Sequence, residues 1–200
     1  HHLSDQALWM PFRGPMLAAR EKVLGLKDRS RAMDGQPVIY GFSRHIVAVP
    51  EGGRTQRHTT GYWIVSSSSN WSPPIALQTF LEQGQPIVSI GFGSMSSSKA
   101  AQVTELVRQS ALEAGVRVIL LIGSGGLNET TLSDRVFCLR EAPHEWLFQR
   151  VSAIVHHGGA GTTAAALRSG VPNIVVPFGV DQPFWGSRVA ALGVGPKPIP

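Results

Sequence analysis

The sequence predicts an α/β protein, a doubly wound parallel sheet over residues 76–200 preceded by an N-terminal extension. Three observations carry that prediction. From residue 86 onward, apolar runs of strand length alternate with helical stretches, the pattern of parallel strands buried on both faces and joined by crossover helices. The 200 residues are 42% hydrophobic and 16% charged, enough apolar material for one sizeable core plus an extension. Residues 66–70, four serines and an asparagine, run into Trp71, Ser72, Pro73 and Pro74 with the composition of a linker that has a stiff end. The extension is therefore 1–65, the linker 66–75 and the main domain 76–200.

Between residues 8 and 26, Leu8, Trp9, Phe12, Met16, Leu17, Val23 and Leu24 recur at roughly helical spacing. Pro11 and the Gly14-Pro15 pair interrupt them, which predicts one broken helix or two short ones. Residues 37–42, 46–50 and 61–65 read as strand pieces between polar loops. In the main domain the pattern gives strands at 86–92, 117–122, 135–139, 152–155 and 173–176. Helices follow at 100–114, 145–149, 162–169 and 182–192. In such a sheet, ligands bind in the crevice at the carboxyl ends of the strands, so the loops leaving those ends hold the candidate site.

Several classes are disfavoured at once. No run of about 18 apolar residues is present to span a membrane. No charged and apolar leader opens the sequence, so no signal peptide is expected. Cys138 is the single cysteine and sits in an apolar run, which reads as an inert core thiol and fits a reducing, cytoplasmic setting. The formal charge of +5 is uneven: nine Lys and Arg face five Asp and Glu up to residue 57, and nine face eight beyond it. The basic residues Arg13, Arg20, Lys22, Lys27, Arg29 and Arg31 read as a solvated helix face, with peripheral contact to an anionic membrane surface as the alternative. Basic residues interleaved with aromatics, as in base-stacking surfaces, are missing, and nucleic acid is not expected as a partner.

Three strand-to-helix loops carry chemistry. The first runs from Gly91 through Gly93 and Ser94 to Ser98, where small residues let backbone amides approach an anion. It has no third glycine near Ser96, and the next strand ends at Gly123-Ser124 rather than at an acid, which argues against a nicotinamide dehydrogenase. The second, from His156 through Gly158, Gly159 and Gly161 to Thr162 and Thr163, sets three glycines and two hydroxyls before a helix. That is a phosphate site, because free helix-start amides attract anions by roughly 0.3 to 2 kcal/mol. His156 and His157 either serve that site or are a satisfied pair at a strand end. No metal is expected there, since adjacent histidines diverge and neither a cysteine nor a carboxylate lies at ligand spacing. In the third loop Asp181 and Gln182 present an acid and an amide suited to neighbouring sugar hydroxyls, while Asp181 also reads as an N-cap.

These loops resemble those of the UDP-glycosyltransferases of GT-B type, and among them the sterol glucosyltransferases and related glycosyltransferases of antibiotic biosynthesis. The stretches 91–95, 142–148, 156–162 and 176–183 follow the family's order and spacing, and the resemblance covers most of the chain. It implies a Rossmann-like, donor-binding C-terminal half, truncated at its C-terminal end, with residues 1–65 as the tail of an N-terminal acceptor domain. It assigns Ser94, His156, Gly158, Gly161 and Thr162 to the donor diphosphate, Ala142 (through its backbone) and His144 to uracil, and Asp181 and Gln182 to the sugar. Where plant members carry a uracil-stacking tryptophan this chain has Glu141, so that Trp146 serves either uracil or the core.

The resemblance further implies inverting transfer of glucose or another hexose from a UDP-sugar to a sterol or other lipophilic hydroxyl, without metal or cofactor. The general base would be a histidine of the N-terminal domain, so no catalytic residue is expected in this chain. Two alternatives stay open: a non-catalytic nucleotide-sugar-binding module that pairs with a separate acceptor domain, and a transferase of lipid-linked cell-wall synthesis.

Overall fold

The computed structural model describes residues 2–26, 37–49, 56–64, 71–84, 86–92, 100–123 and 130–199. The chain divides into two compact units, one formed by His1–Tyr40 with Val49–Thr60 and the other by Gly41–Ala48 with Gly61–Pro200.

In the first unit a helix α1 (His2–Leu24) precedes two short parallel strands, β1 (Val38–Tyr40) and β2 (Arg57–Thr59). The helix runs unbroken through Pro11 and Pro15, contrary to the predicted interruption. Spaced four apart, the two prolines remove donors along one face, and the rest of the ladder carries the helix past them. Two strand expectations fail as well, at residues of the second unit. Residues 46 and 47 belong to a turn closed on Ser43, whose carbonyl accepts from both amides, and residues 61–64 are irregular. Arg57–Thr59, read as loop because of its polarity, is a strand through its pairing with β1.

The second unit contains the α/β sheet expected from the sequence pattern. Its elements are α2 (Ile75–Leu81), β3 (Ile87–Gly91), α3 (Ala100–Ala114), β4 (Arg117–Leu121), β5 (Thr130–Ser133), β6 (Val136–Leu139), α4 (His144–Leu147) with a 3-10 turn after it, β7 (Ala153–His156), α5 (Ala160–Ser169), β8 (Asn173–Val175) and α6 (Gln182–Ala191). The strands stand in the order β5-β6-β4-β3-β7-β8, all parallel except the edge strand β5. Neither β5 nor α2 is evident in the sequence pattern. The other edge is bordered by the chain beyond α6, where Val194 and Ile199 exchange backbone bonds with Asn173 and Val175.

Alternation along the central strands builds two cores. Ile119, Phe137 and Leu139 face α2 and α5 with Leu77, Phe80, Leu147, Phe148, Ile154 and Ala166, while Val118, Leu120, Val136 and Cys138 face α3 at Val107 and Ala111. Cys138 is buried, and burial pushes its thiol up, which suits an inert core position. Trp146 packs edge-on against Trp71 and carries the Arg150 guanidinium over its ring, so it takes the core-side role. Among the described residues no helix is long and apolar enough to cross a membrane.

One buried group stands apart. Arg117, at the amino end of β4, is only 2% exposed, and its three guanidinium nitrogens have no hydrogen-bond partner among the described residues. It lies 3.7 Å over the Phe80 ring, and burial lowers its pKa. Cation–π attraction supplies about 2 kcal/mol at a desolvated site, against several for removing the charge from water. Arg117→Met, which keeps the volume and drops the charge, is therefore expected to leave the urea midpoint unchanged or raise it, whereas Phe80→Ala should cost about 3 to 5 kcal/mol.

Candidate functional site

The carboxyl ends of β3, β4, β6 and β7 enclose a cavity of about 160 Å³. Ala142, His144, His156 and Thr162 line it, so the structure brings together residues expected for uracil and for diphosphate; Glu141 and Arg140 join them. On its lining, Ser89 is 1% exposed and its hydroxyl has no hydrogen-bond partner among the described residues. A second cavity of about 570 Å³ lies along α4 and α5, lined by His144, Ala160, Gly161, Ala164, Arg168 and Trp185 among others. The two cavities share His144 and flank the first turn of α5. Ser94 lies outside the described residues.

Helix α5 begins at Ala160, two residues earlier than its periodicity suggests, which places Gly161 and Thr162 in the first turn. Thr163 is the first residue whose amide closes on the helix, donating to Gly159. The amides of Ala160, Gly161 and Thr162 therefore have no backbone acceptor among the described residues, the condition of an anion site.

The approach to that turn is tightly specified. Gly158 has φ of +87°, and a Cβ there would lie 2.7 Å from Val175 Cγ1 and 3.0 Å from the Gln182 carbonyl oxygen. Its amide donates to His156 Nδ1 at 3.1 Å, and His156 Nε2 lies 3.2 Å from Asn173 Oδ1. Both ring nitrogens of His156 are thus engaged inside the protein, and the ring is 1% exposed. Burial lowers its pKa to about 4, against the raising effect of the Asn173 bond. Burial likewise lowers His157, offset by the Asp181 charge and by a bond to the Gly91 backbone. His144 stacks on Phe148 at 4.6 Å and is lowered by burial, then by the nearby His157.

In the third loop Asp181 stands at the N-cap position of α6, yet its carboxylate makes no capping bond. Oδ2 instead accepts from the Trp185 indole at 2.8 Å. Gln182 Oε1 accepts from the amides of Phe178 and Gly179, at 2.7 and 3.3 Å, which leaves its NH2 group as the outward donor. The rings of Phe92 and Phe178, 5.5 Å apart edge-to-face, bring the loops after β3 and β8 together. Asn173 and Trp185 escape a sequence reading, although an asparagine within an apolar strand and a tryptophan four residues after a loop acid were the available signals.

Comparison with known proteins bears on the fold that carries this site. Residues 117–199 match the family profile described as Erythromycin biosynthesis protein CIII-like, C-terminal domain. The chain is 39% identical over 207 aligned positions to a sterol 3-beta-glucosyltransferase of Arabidopsis thaliana, covering 100% of this chain and 32% of that protein. It is 40% identical to a sterol 3-beta-glucosyltransferase of Aspergillus fumigatus, covering 96% of this chain and 15% of that protein. The chain thus spans about a third or less of these relatives' length. Among solved structures, the kitacinnamycin glycotransferase superposes with a TM-score of 0.61 at 19% identity, over 80% of this chain and 41% of that one. A glycosyltransferase of Streptomyces sp. SF2575 does so with a TM-score of 0.55 at 20% identity, over 90% and 43%.

The second unit therefore has the Rossmann-like fold of the C-terminal half of the GT-B glycosyltransferases. Within that fold, residues 117–199 are similar to the EryCIII-like C-terminal domain, and the sequence as a whole is similar to part of the sterol 3-beta-glucosyltransferases.

Two outcomes test the loop geometry. Gly158→Ala combines a left-handed φ with overlap against Val175 and is expected to destabilise the chain by about 2 to 4 kcal/mol in urea unfolding. His156 folds with a pKa near 4, below its ordinary 6.5, so between those values the unfolded chain binds the extra proton. Stability is then full above about pH 6.5 and falls as the pH drops toward 4, by at most about 1.4 kcal/mol per unit from this group. A His156→Gln variant should show a shallower fall over the same window.

Proposed function

We propose that this chain is the donor-binding part of a UDP-sugar-dependent hexosyltransferase that moves glucose or another hexose to a sterol or other lipophilic hydroxyl. The observation that carries the reading is the first turn of α5, with three amides lacking a backbone acceptor among the described residues, standing between two cavities that share His144. The 160 Å³ space is too small for a whole nucleotide sugar, whose sites run to about 300 to 1,000 Å³, so the donor extends past the helix start. In this reading Ala142 and His144 meet uracil, and Gly158, Gly161, Thr162 and Ser94 surround the diphosphate. Asp181 and Gln182 take the sugar hydroxyls, and His156 acts from behind by holding the Gly158 turn.

No metal or cofactor enters the proposal. The helix start stabilises the negative charge that grows on the leaving diphosphate while the acceptor oxygen bonds to the anomeric carbon and the C–O bond to UDP breaks. The base that takes the acceptor proton belongs to the acceptor domain, whose tail is residues 1–65. The exposed Arg13 and Lys22 of α1 give the protein a means of approaching an anionic lipid surface.

A second reading, a binding module completed by a separate acceptor subunit, draws on the exposed apolar residues of α1. Met10, Phe12, Val23 and Leu24 are each more than 60% exposed; the side chains of Leu8 and Trp9 lie outside the described residues.

Calorimetric titration with UDP and UMP tests the donor reading. UDP is expected to bind at micromolar strength and UMP at least tenfold more weakly, a difference of about 1.4 kcal/mol. Gly161 has open space where a Cβ would go, so Gly161→Ala should fold as stably as the parent and lose UDP affinity about tenfold through its methyl at the anion. A folded chain that binds UDP no tighter than UMP would sink the diphosphate site.

A further inference from the structure

Asn173 is a fully buried amide in an otherwise apolar strand, and the assignments above leave it without a task. Chemistry fixes its orientation. Its Nδ2 donates to the Val171 carbonyl at 2.8 Å, so Oδ1 is the atom that faces His156 Nε2. A carbonyl oxygen only accepts, so Nε2 carries the ring proton. A neutral imidazole has one N–H, which leaves Nδ1 a lone pair for the Gly158 amide. With a proton on Nδ1, two donors would face each other across that contact, and the turn between β7 and α5 would open.

We propose that Asn173 is a positioning residue of the donor site: by accepting from His156 Nε2 it fixes the tautomer whose Nδ1 holds the Gly158 amide, and so sets the turn that presents α5 to the diphosphate. This rests on the donor reading above. The titratable groups near His156 are His157, next in the chain, His144 from α4, and Arg140 and Glu141, which line the same cavity. Strands β3 and β8 carry no ionisable residue, and Arg168, the one ionisable residue of α5, sits in its last turn.

Asn173→Asp separates the tautomer from the mere presence of an acceptor. The carboxylate accepts at the same place, gives up the donation to Val171, and raises the His156 pKa through its charge. At high pH the neutral ring keeps its bonds to residue 173 and Gly158. At low pH the ring gains a proton on Nδ1 and releases the Gly158 amide.

The experiment follows the His156 ring nitrogens and the Gly158 amide by NMR from pH 8 to pH 5 in the full chain. UDP-glucose affinity is measured by calorimetry over the same range. The wild type is expected to show the Nε2–H tautomer throughout. The aspartate variant should bind like wild type at pH 8, and its affinity relative to wild type should fall at least tenfold by pH 5, in step with the Gly158 amide. A ratio that stays flat while that amide moves, or a wild-type ring protonated at Nδ1, overturns the proposal. Should the aspartate variant not fold, the near-isosteric Asn173→Leu removes the acceptor. It should mix the two tautomers and weaken UDP-glucose at every pH, and unchanged affinity there overturns the proposal equally. No UDP-glucose binding by a folded wild type that retains the Nε2–H tautomer and the Gly158 contact would count against the donor reading and for the Asn173–His156–Gly158 hydrogen-bond chain.

Discussion

The backbone at Gly158 is held from three directions, and the rest of the site is arranged around it. Val175 of β8 and the carbonyl of Gln182 close in where a side chain would go, and the His156 ring takes the amide. Each contact comes from a different part of the chain, so the turn forms only when β7, β8 and the start of α6 are assembled. Once formed, it sets the start of α5, where the amides of Ala160, Gly161 and Thr162 have no backbone acceptor among the described residues and form a fixed array of donors. The third loop is tied to the same point, because Gln182 both abuts Gly158 and gathers the amides of Phe178 and Gly179.

The sheet supplies the leverage. Its five parallel strands are apolar on both faces, and two cores of comparable character clamp them between α3 on one side and α2, α4 and α5 on the other. Parallel pairing sends the strand-to-helix loops to one edge, which is how residues as distant as Ala142 and Thr162 come to line one cavity. Polar groups inside this frame have separate fates. His156 and Asn173 satisfy each other, whereas Ser89 and Arg117 remain without hydrogen bonds among the described residues, the first on a cavity lining and the second under an aromatic ring.

The central strands and helices were legible because burial on both faces leaves a continuous apolar signal, and α3 runs over the residues its periodicity marks. Strand β5, with Thr130 and Thr131, pairs on one side only and so carries no such signal. Helix α2 follows directly on Pro73 and Pro74, which read as a linker's end. In the candidate site, the glycines that shape the turn before α5 were legible because their chemistry is local. The partners of His156 and Asp181 were hidden because they depend on tertiary contact: Asn173 reaches across from the neighbouring strand, and Trp185 returns from one turn along α6.

The margins of the sheet bear on how the protein behaves in a crowded solution. A parallel sheet with bare borders offers a ladder to which another copy can add, the usual route to edge-to-edge aggregation. Here one border is a four-residue antiparallel strand whose register shifts between Thr131 and Ser133, and a ladder that slips so early is a poor template. The other is overlaid by the chain's own residues 194–199 through Asn173 and Val175. Self-association by strand addition is thereby discouraged at both ends, and the crevice can stay open to small ligands without the sheet recruiting its own kind.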